Sequence, residues 1–341
     1  MSSQKIVFVS GATGFIAQHI VKQLIEKGYK TIGSVRSTEK GEDLKSLLQE
    51  AGLQFDLFSY EIVKDITAKG AFDQALKSNP DITDFLHTAS PFFFDVKDVE
   101  KELLKPAIEG TVNALNAIYT YGKNVERVAI TSSYAAVAGF GDLATPGKEV
   151  NEESWNPITY DQAKSDGFTG YIGSKKLANE KVVEFIKEHN PQWAVTVICP
   201  VFVFGPQAFE VKDKSKLNTS NEVINAIIKA GKEGTDVEQQ LVGYFIDVRD
   251  VAHAHVKVVE PGNKLANQRL LLSEGPVSTQ KIYDIIKKDF PQVPIPKLDP
   301  SKAPKFEDSE SIINNKKTRE LLGFKFIGLE ESIDDTIKQI I

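Results

Sequence analysis

Cysteine, arginine and long apolar runs are scarce in this sequence. One cysteine, Cys199, among 341 residues rules out a disulfide within the chain and a thiolate-built metal site. Five arginines and a net charge of −6 leave no concentrated positive surface for a nucleic-acid backbone. No run approaches the ~20 apolar residues of a membrane-spanning helix. The opening Met1-Ser-Ser-Gln-Lys-Ile-Val-Phe-Val-Ser passes into a short strand without the apolar stretch and small-residue cleavage site of a secretory leader. The cytoplasm is therefore the expected compartment, and neither nucleic acid nor membrane is an expected partner. The five histidines include His253 and His255, spaced too closely to share a helical face, and no metal is assigned.

What is present is a composition of 41% hydrophobic and 26% charged residues, enough for one large domain and a smaller lobe. Short β-branched runs alternate with longer periodic segments. Lys5–Ser10, Thr31–Val35, Phe85–Thr88, Arg127–Thr131 and Ala194–Cys199 read as strands, and helices are expected at about Phe15–Lys27, Lys97–Tyr121 and Tyr171–His189. The fold class is α/β, a doubly wound parallel sheet. Val-Ala-Ile-Thr and Val-Thr-Val-Ile are apolar without alternation, as in central strands covered on both faces. Beyond Pro200 a Lys/Asn-rich stretch, Glu210–Ser220, leads to a helical segment. Gly243-Tyr-Phe-Ile-Asp introduces another helix, and a Pro-punctuated segment, Pro291–Pro304, precedes two short C-terminal helices. Residues 1–200 with 248–272 are read as a dinucleotide-binding domain of Rossmann type, and 201–247 with 273–341 as a smaller substrate lobe.

Val7-Phe-Val-Ser-Gly-Ala-Thr-Gly-Phe-Ile-Ala places small residues where a first strand turns into a first helix. Gly11 permits the tight turn, Gly14 lets backbone approach a pyrophosphate, and Ala17 lets the helix pack closely, leaving its N-terminus aimed at negative charge. Gly11, Thr13, Gly14, Phe15 and Ile16 are the candidate cradle. The second strand ends in Arg36 rather than an acid for ribose hydroxyls. Its planar fork, with Lys40 one helical turn on, favours the 2′-phosphate of NADP(H). Asp65, with Ile66 beside it, is a candidate for the adenine end.

Tyr-x-x-x-Lys occurs five times: Tyr60/Lys64, Tyr119/Lys123, Tyr160/Lys164, Tyr171/Lys175 and Tyr283/Lys287. Tyr60 falls in an expected strand, Tyr119 at the far end of a helix, Tyr160 in a loop and Tyr283 in the distal lobe. Tyr171 alone lies after the strand ending Thr131-Ser132-Ser133 and opens a helix, with Lys175 on the same face and Gly173 and Ser174 small enough for close cofactor approach. A free tyrosine has a pKa of ~10, and a nearby ammonium favours its ionised form, the expected role of Lys175 beside holding the nicotinamide ribose. In a reduction, Tyr171 gives its proton to a carbonyl oxygen while Ser133 polarises that oxygen.

These residues resemble the extended short-chain dehydrogenase/reductase family, and within it NADPH-dependent aldehyde and ketone reductases related to the dihydroflavonol reductases. The likeness is carried by Ser10-Gly-Ala-Thr-Gly-Phe-Ile-Ala-Gln-His-Ile, Leu86-His-Thr-Ala-Ser-Pro-Phe, Thr131-Ser-Ser-Tyr-Ala-Ala-Val, Asn151-Glu-Glu-Ser-Trp-Asn-Pro, Tyr171-Ile-Gly-Ser-Lys-Lys, Pro200-Val-Phe-Val-Phe-Gly-Pro and Tyr244-Phe-Ile-Asp-Val-Arg-Asp-Val-Ala. It implies Ser133, Tyr171 and Lys175 as the catalytic set and Arg36 and Lys40 on the 2′-phosphate. It also implies Thr88, Ala89, Ser90 and Thr131 bordering the cofactor, and the backbone of Pro200–Val203, Pro200 and Val203 included, against the nicotinamide carboxamide. Asn113 does not match the asparagine that some members add to a proton relay.

Phe92, Phe93, Tyr134, Val137, Phe140 and Phe202 follow strand ends on the cofactor side and, with Ser133, are the candidate pocket for a small or medium carbonyl compound: an aldehyde, a ketone or a dicarbonyl of the methylglyoxal kind. Glu152, Glu153 and Trp155 read as loop-shaping. Two rivals share the motifs. A sugar-nucleotide epimerase or dehydratase calls for arginines in the small lobe, where only Arg249, Arg269 and Arg319 follow Pro200. A non-catalytic NADP sensor would not need the intact Ser133, Tyr171 and Lys175. A monomer or homodimer is expected.

Overall fold

In β1 (Ile6–Ser10) successive side chains go to opposite faces of the sheet: Val7 and Val9 enter one apolar cluster and Phe8 the other. The computed structural model describes residues 5–90, 96–139, 147–214, 217–237, 239, 241–299, 301 and 312–341. After β1 come α1 (Phe15–Glu26), β2 (Lys30–Val35), α2 (Thr38–Glu50), β3 (Phe58–Ile62), α3 (Asp73–Ser78), β4 (Asp84–His87), α4 (Lys105–Tyr121), β5 (Arg127–Thr131) and β6 (Glu149–Val150). The long helix α5 (Gly167–His189) then leads to β7 (Ala194–Pro200), β8 (Phe202–Phe204), α6 (Glu222–Glu233), β9 (Val242–Asp247), α7 (Val248–Val259) and β10 (Arg269–Leu272). The chain closes with β11 (Gly275–Ser278), α8 (Thr279–Asp289), β12 (Ile312–Ile313), α9 (Lys316–Leu322) and α10 (Leu329–Ile340).

Seven parallel strands form one sheet in the order β10-β7-β5-β4-β1-β2-β3. The expected α/β, doubly wound sheet is the fold. Its order reverses between β1 and β4, where Ser10 lies opposite His87, and the crevice beyond those carboxyl ends is where such sheets bind ligands. β11, β9 and β8 make a second sheet, whose Phe204, Phe245 and Val277 pack with α6, α8 and α10 around a third apolar cluster.

Two helix starts differ from expectation. The stretch expected as one helix from Lys97 contains a π-helical turn, Glu100–Leu104, before α4; Pro106, which has no N–H to give the ladder, stands at the junction. α5 begins at Gly167, not Tyr171, because the Asp166 carboxylate accepts from the N–H groups of Phe168 at 3.0 Å and Thr169 at 2.9 Å.

Candidate active site

Gly11 sits at φ +65°, in the left-handed region, and a Cβ there would lie 3.1 Å from Cβ of Ala89. The Gly14 N–H donates to Gly11 O at 2.9 Å, and α1 starts with no capping side chain and no acid in its first turn. Its free N–H groups therefore open onto the β1/β4 crevice, a concavity that fits a pyrophosphate. Thr13 is held from behind, its carbonyl accepting from Gln18 Nε2 at 2.9 Å; Phe15 meets His19 edge-on, and Ile16 packs on the core.

The opposite lip hangs from one hydroxyl. Ser10 Oγ accepts from the N–H groups of Thr88 at 2.9 Å and Ala89 at 3.0 Å, and Thr88 Oγ1 donates to Ser10 O. With both lone pairs engaged, Ser10 gives its own proton to His87 Nδ1, 2.9 Å away. Burial, then the nearby charge of Lys175, pushes the His87 pKa down to about 4, so the ring is neutral. Thr88, Ala89 and Ser90 thus stand across the crevice from the glycine loop.

Arg36 follows β2 as an exposed residue and makes no ion pair among the described residues. Lys40 also lies exposed, 3.6 Å from Asp43. Asp65 accepts from both the N–H and the hydroxyl of Thr67 at 2.8 Å; these bonds, with the charge of Arg36, keep its carboxyl below the ordinary range. Ile66 packs where Gly110 of α4 has no side chain; a Cβ there would lie 2.8 Å from Ile66 Cδ1. Asn113 Nδ2 donates to Ile66 O at 2.9 Å and Ala68 O at 3.0 Å, so it braces this loop.

Tyr171 and Lys175 share one face of α5 with Phe168, three residues before Tyr171 and 46% exposed. Ser133 is extended just beyond β5; its Oγ accepts from Ala135 N at 3.1 Å, and its hydroxyl lies near enough to that of Tyr171 to favour the ionised phenol against burial. The Lys175 ammonium lies 5.5 Å from the Tyr171 ring centre and donates to Ser90 Oγ at 2.7 Å. Lys175 is only 8% exposed, and desolvation brings its pKa down to about 8. The structure thus brings Ser133, Tyr171, Lys175 and Ser90 together.

One expectation is corrected here. The Tyr171 pKa is raised, not lowered: desolvation dominates, and the opposing influence is the Ser133 hydroxyl rather than Lys175, whose ammonium is drawn to Ser90. Gly173 is also small for another reason. A Cβ there would come 2.2 Å from Cβ of Ala163, and Ser174 Oγ is turned back to Tyr171 O at 2.7 Å, so both serve packing of α5 rather than cofactor approach.

Other candidates are placed less centrally. Thr131 Oγ1 is engaged with His255 Nε2 at 2.7 Å, and Val137 is 1% exposed inside the core, packed rather than lining a cleft. Pro200 ends β7 buried, while Val203 belongs to β8 of the second sheet, its carbonyl accepting from Ser220 Oγ. Tyr134 is half-buried beside Ser133, and Phe202 is 45% exposed. Phe92, Phe93 and Phe140 lie outside the described residues. Of the other tyrosines, Tyr60 donates to Glu42 at 2.6 Å from β3, Tyr160 to Glu100 at 3.1 Å, and Tyr119 faces solvent.

Three contributors were missed. Phe168 was legible once α5 starts at Asp166-x-x-Thr169. Asn179, one turn beyond Lys175, donates to Ser132 Oγ at 3.1 Å and ties α5 to the end of β5. Arg269 reaches from β10 to Ala136 O at 2.9 Å and Ser154 O at 2.5 Å and stacks on Trp155, bracing the turn after Ser133; no local signal marks a contact so distant in sequence.

A family model described as "NAD dependent epimerase/dehydratase family" matches residues 7–271. The chain belongs to this epimerase/dehydratase family. The resemblance read from the sequence motifs is thereby borne out. A Candida albicans family member named for NADPH-dependent methylglyoxal reduction is 57% identical over 343 residues, covering 100% of each chain. The crystal structure of Gre2 from Candida albicans with NADPH superposes at a TM-score of 0.92, with 45% identity over 98% of both chains. The NADPH complex of yeast methylglyoxal/isovaleraldehyde reductase Gre2 gives 0.91 and 42%, again over 98% of both chains.

Proposed function

We propose that this epimerase/dehydratase family member is an NADPH-dependent reductase of small and medium aldehydes, ketones and dicarbonyls. The observation that carries the reading is the Ser133–Tyr171 hydroxyl pair beside the buried Lys175 ammonium, opposite an uncapped helix at the sheet's reversal point. Relatives named for NADPH and for methylglyoxal and isovaleraldehyde support the cofactor and substrate class. Gly11, Gly14 and the first turn of α1 would hold the pyrophosphate and Arg36 the 2′-phosphate, with Lys40 adding a point charge. Residues 201–247 with 273–341 would form the substrate lobe, and the exposed rings of Phe168 and Phe202 would bound the apolar part of the substrate.

Bound NADPH supplies the hydride. Tyr171, its pKa raised by desolvation, stays protonated at neutral pH and so carries the proton that the carbonyl oxygen takes. Ser133, its Oγ fixed by Ala135 N–H, donates to that same oxygen and steadies the charge developing there. Lys175 restores the proton that Tyr171 gives up.

The arginines that follow Pro200 speak against a sugar-nucleotide substrate. Arg249 is bound to Asp247 and Asp335, Arg269 to backbone carbonyls and Arg319 to Glu274, so none is open to grip a diphosphate. Consumption of NADPH against NADH with methylglyoxal, branched aldehydes, diketones and aryl ketones tests cofactor and substrate class together. Y171F is expected to lose turnover by about 10³-fold while NADPH binding stays unchanged. Full activity in Y171F excludes the mechanism.

A further inference from the structure

We propose that Ser90 is the positioning and proton-relay partner of Lys175, the group through which the lysine regains its proton after each reduction. The inference rests on the reductase reading and extends it to a residue outside the serine, tyrosine and lysine set.

Lys175 makes one hydrogen bond among the described residues, from Nζ to Ser90 Oγ at 2.7 Å. Among the described residues the titratable groups facing it are Tyr171 on its own helix and His87 from β4, no carboxylate balances its charge, and desolvation accounts for its lowered pKa. Asn113, the amide on α4 that could have served, is committed to Ile66 O and Ala68 O. Ser90 is also firmly mounted. Its two predecessors hang from Ser10 Oγ, at the end of the strand that feeds the glycine loop, and Ala89 packs where Gly11 has no side chain. Ser90 is half-buried, so its hydroxyl is more open to solvent than the enclosed ammonium it meets.

The step balances with one proton drawn from solvent, the proton that the net reduction consumes. Tyr171 loses its phenolic proton to the carbonyl oxygen, and the phenolate is reprotonated at the expense of an N–H bond of Lys175, leaving a neutral amine. The Ser90 O–H bond then breaks toward Nζ while Oγ takes a proton from a water molecule, whose hydroxide passes to the buffered solvent, restoring ammonium and hydroxyl. At rest, Ser90 Oγ accepts from the ammonium and so favours its charged form.

The test is the pH profile of kcat for methylglyoxal reduction by wild type, S90A and S90T, with NADPH titrated by fluorescence. S90A is expected to lose at least about tenfold in kcat, with its alkaline limb moved down by about one pH unit, while NADPH affinity holds within about threefold. S90T keeps a hydroxyl and is expected to restore both kcat and the limb. A wild-type profile in S90A overturns the proposal, as does an equal loss in S90A and S90T with the limb unmoved, or a loss confined to NADPH affinity. If S90A does not fold, S90C, similar in size and a weak hydrogen-bonding partner, takes its place under the same criteria. No turnover by wild type, or full turnover by Y171F, fails the reductase reading itself and is distinguished from a failure at Ser90.

Discussion

Arg249 and Lys175 are both carried out of water on helices, yet their surroundings are opposite. Arg249, on α7, holds the fully buried Asp247 through two bonds of 2.9 Å and reaches Asp335 of α10 at 2.7 Å. Burial works against its charge, but the two carboxylates outweigh that and raise its pKa. Lys175, on α5, is more deeply enclosed and meets a hydroxyl, with no carboxylate among the described residues to balance it. A paired buried cation is a joint between elements. An unpaired one is held at a cost to stability, and such a cost persists where the charge is used.

Replacing Lys175 breaks the comparison most sharply. K175M is expected to lose turnover by about 10³-fold while gaining stability by about 1–3 kcal/mol at pH 7, read from urea midpoints, because an unbalanced charge leaves the interior. The sign can be followed with pH. The lysine's pKa is about 8 in the folded protein against 10.5 when free, so below pH 8 both states are protonated and the native state carries the full penalty. Between about pH 8 and 10.5 the unfolded chain binds the extra proton, so wild type gains stability with rising pH and the advantage of K175M fades. An advantage that persists undiminished at pH 10.5 removes the desolvation account.

Arg249 should respond in the reverse sense. R249M is expected to lower stability by about 2–3 kcal/mol, discounted for the partial exposure of Arg249 and Asp335, because Asp247 is left buried without its partner. A double variant with D247N should recover part of that loss, and unchanged urea midpoints in R249M would show that the pair contributes nothing net. The smallest effect is expected at Arg36, where a cation in solvent has no partner among the described residues. R36A should lower the preference for NADPH over NADH by about tenfold, with a weaker dependence of NADPH binding on salt. An unaltered preference assigns the 2′-phosphate elsewhere.

The parts of this molecule legible in advance were those set by neighbours along the chain. β5 begins and ends where its β-branched run does, and β1, the glycine turn and α1 follow from apolar residues, small residues and a helix-length period within one short stretch. α5 starts four residues before the expected position because the Asp166 carboxylate caps it, a signal the apolar period does not carry. Gly173 was given to a cofactor because its real neighbour, Ala163, belongs to a turn whose position against α5 is not encoded nearby.

Chemistry that depends on direction and depth was not legible. Residue types and spacing put a tyrosine and a lysine on one helical face, but which way the ammonium leans is decided by Ser90, 85 positions earlier and suspended from β1. Desolvation, not the lysine, governs the Tyr171 hydroxyl, and burial depth belongs to the assembled core rather than to any segment. By itself the sequence determined the order of strands and helices, the small-residue turn before the first helix and the candidates for the reacting groups, because periodicity and side-chain size act locally. Only the tertiary structure decided which hydroxyl meets Lys175, which arginines are tied up and which glycine serves packing, because those outcomes depend on atoms brought together across many residues of chain.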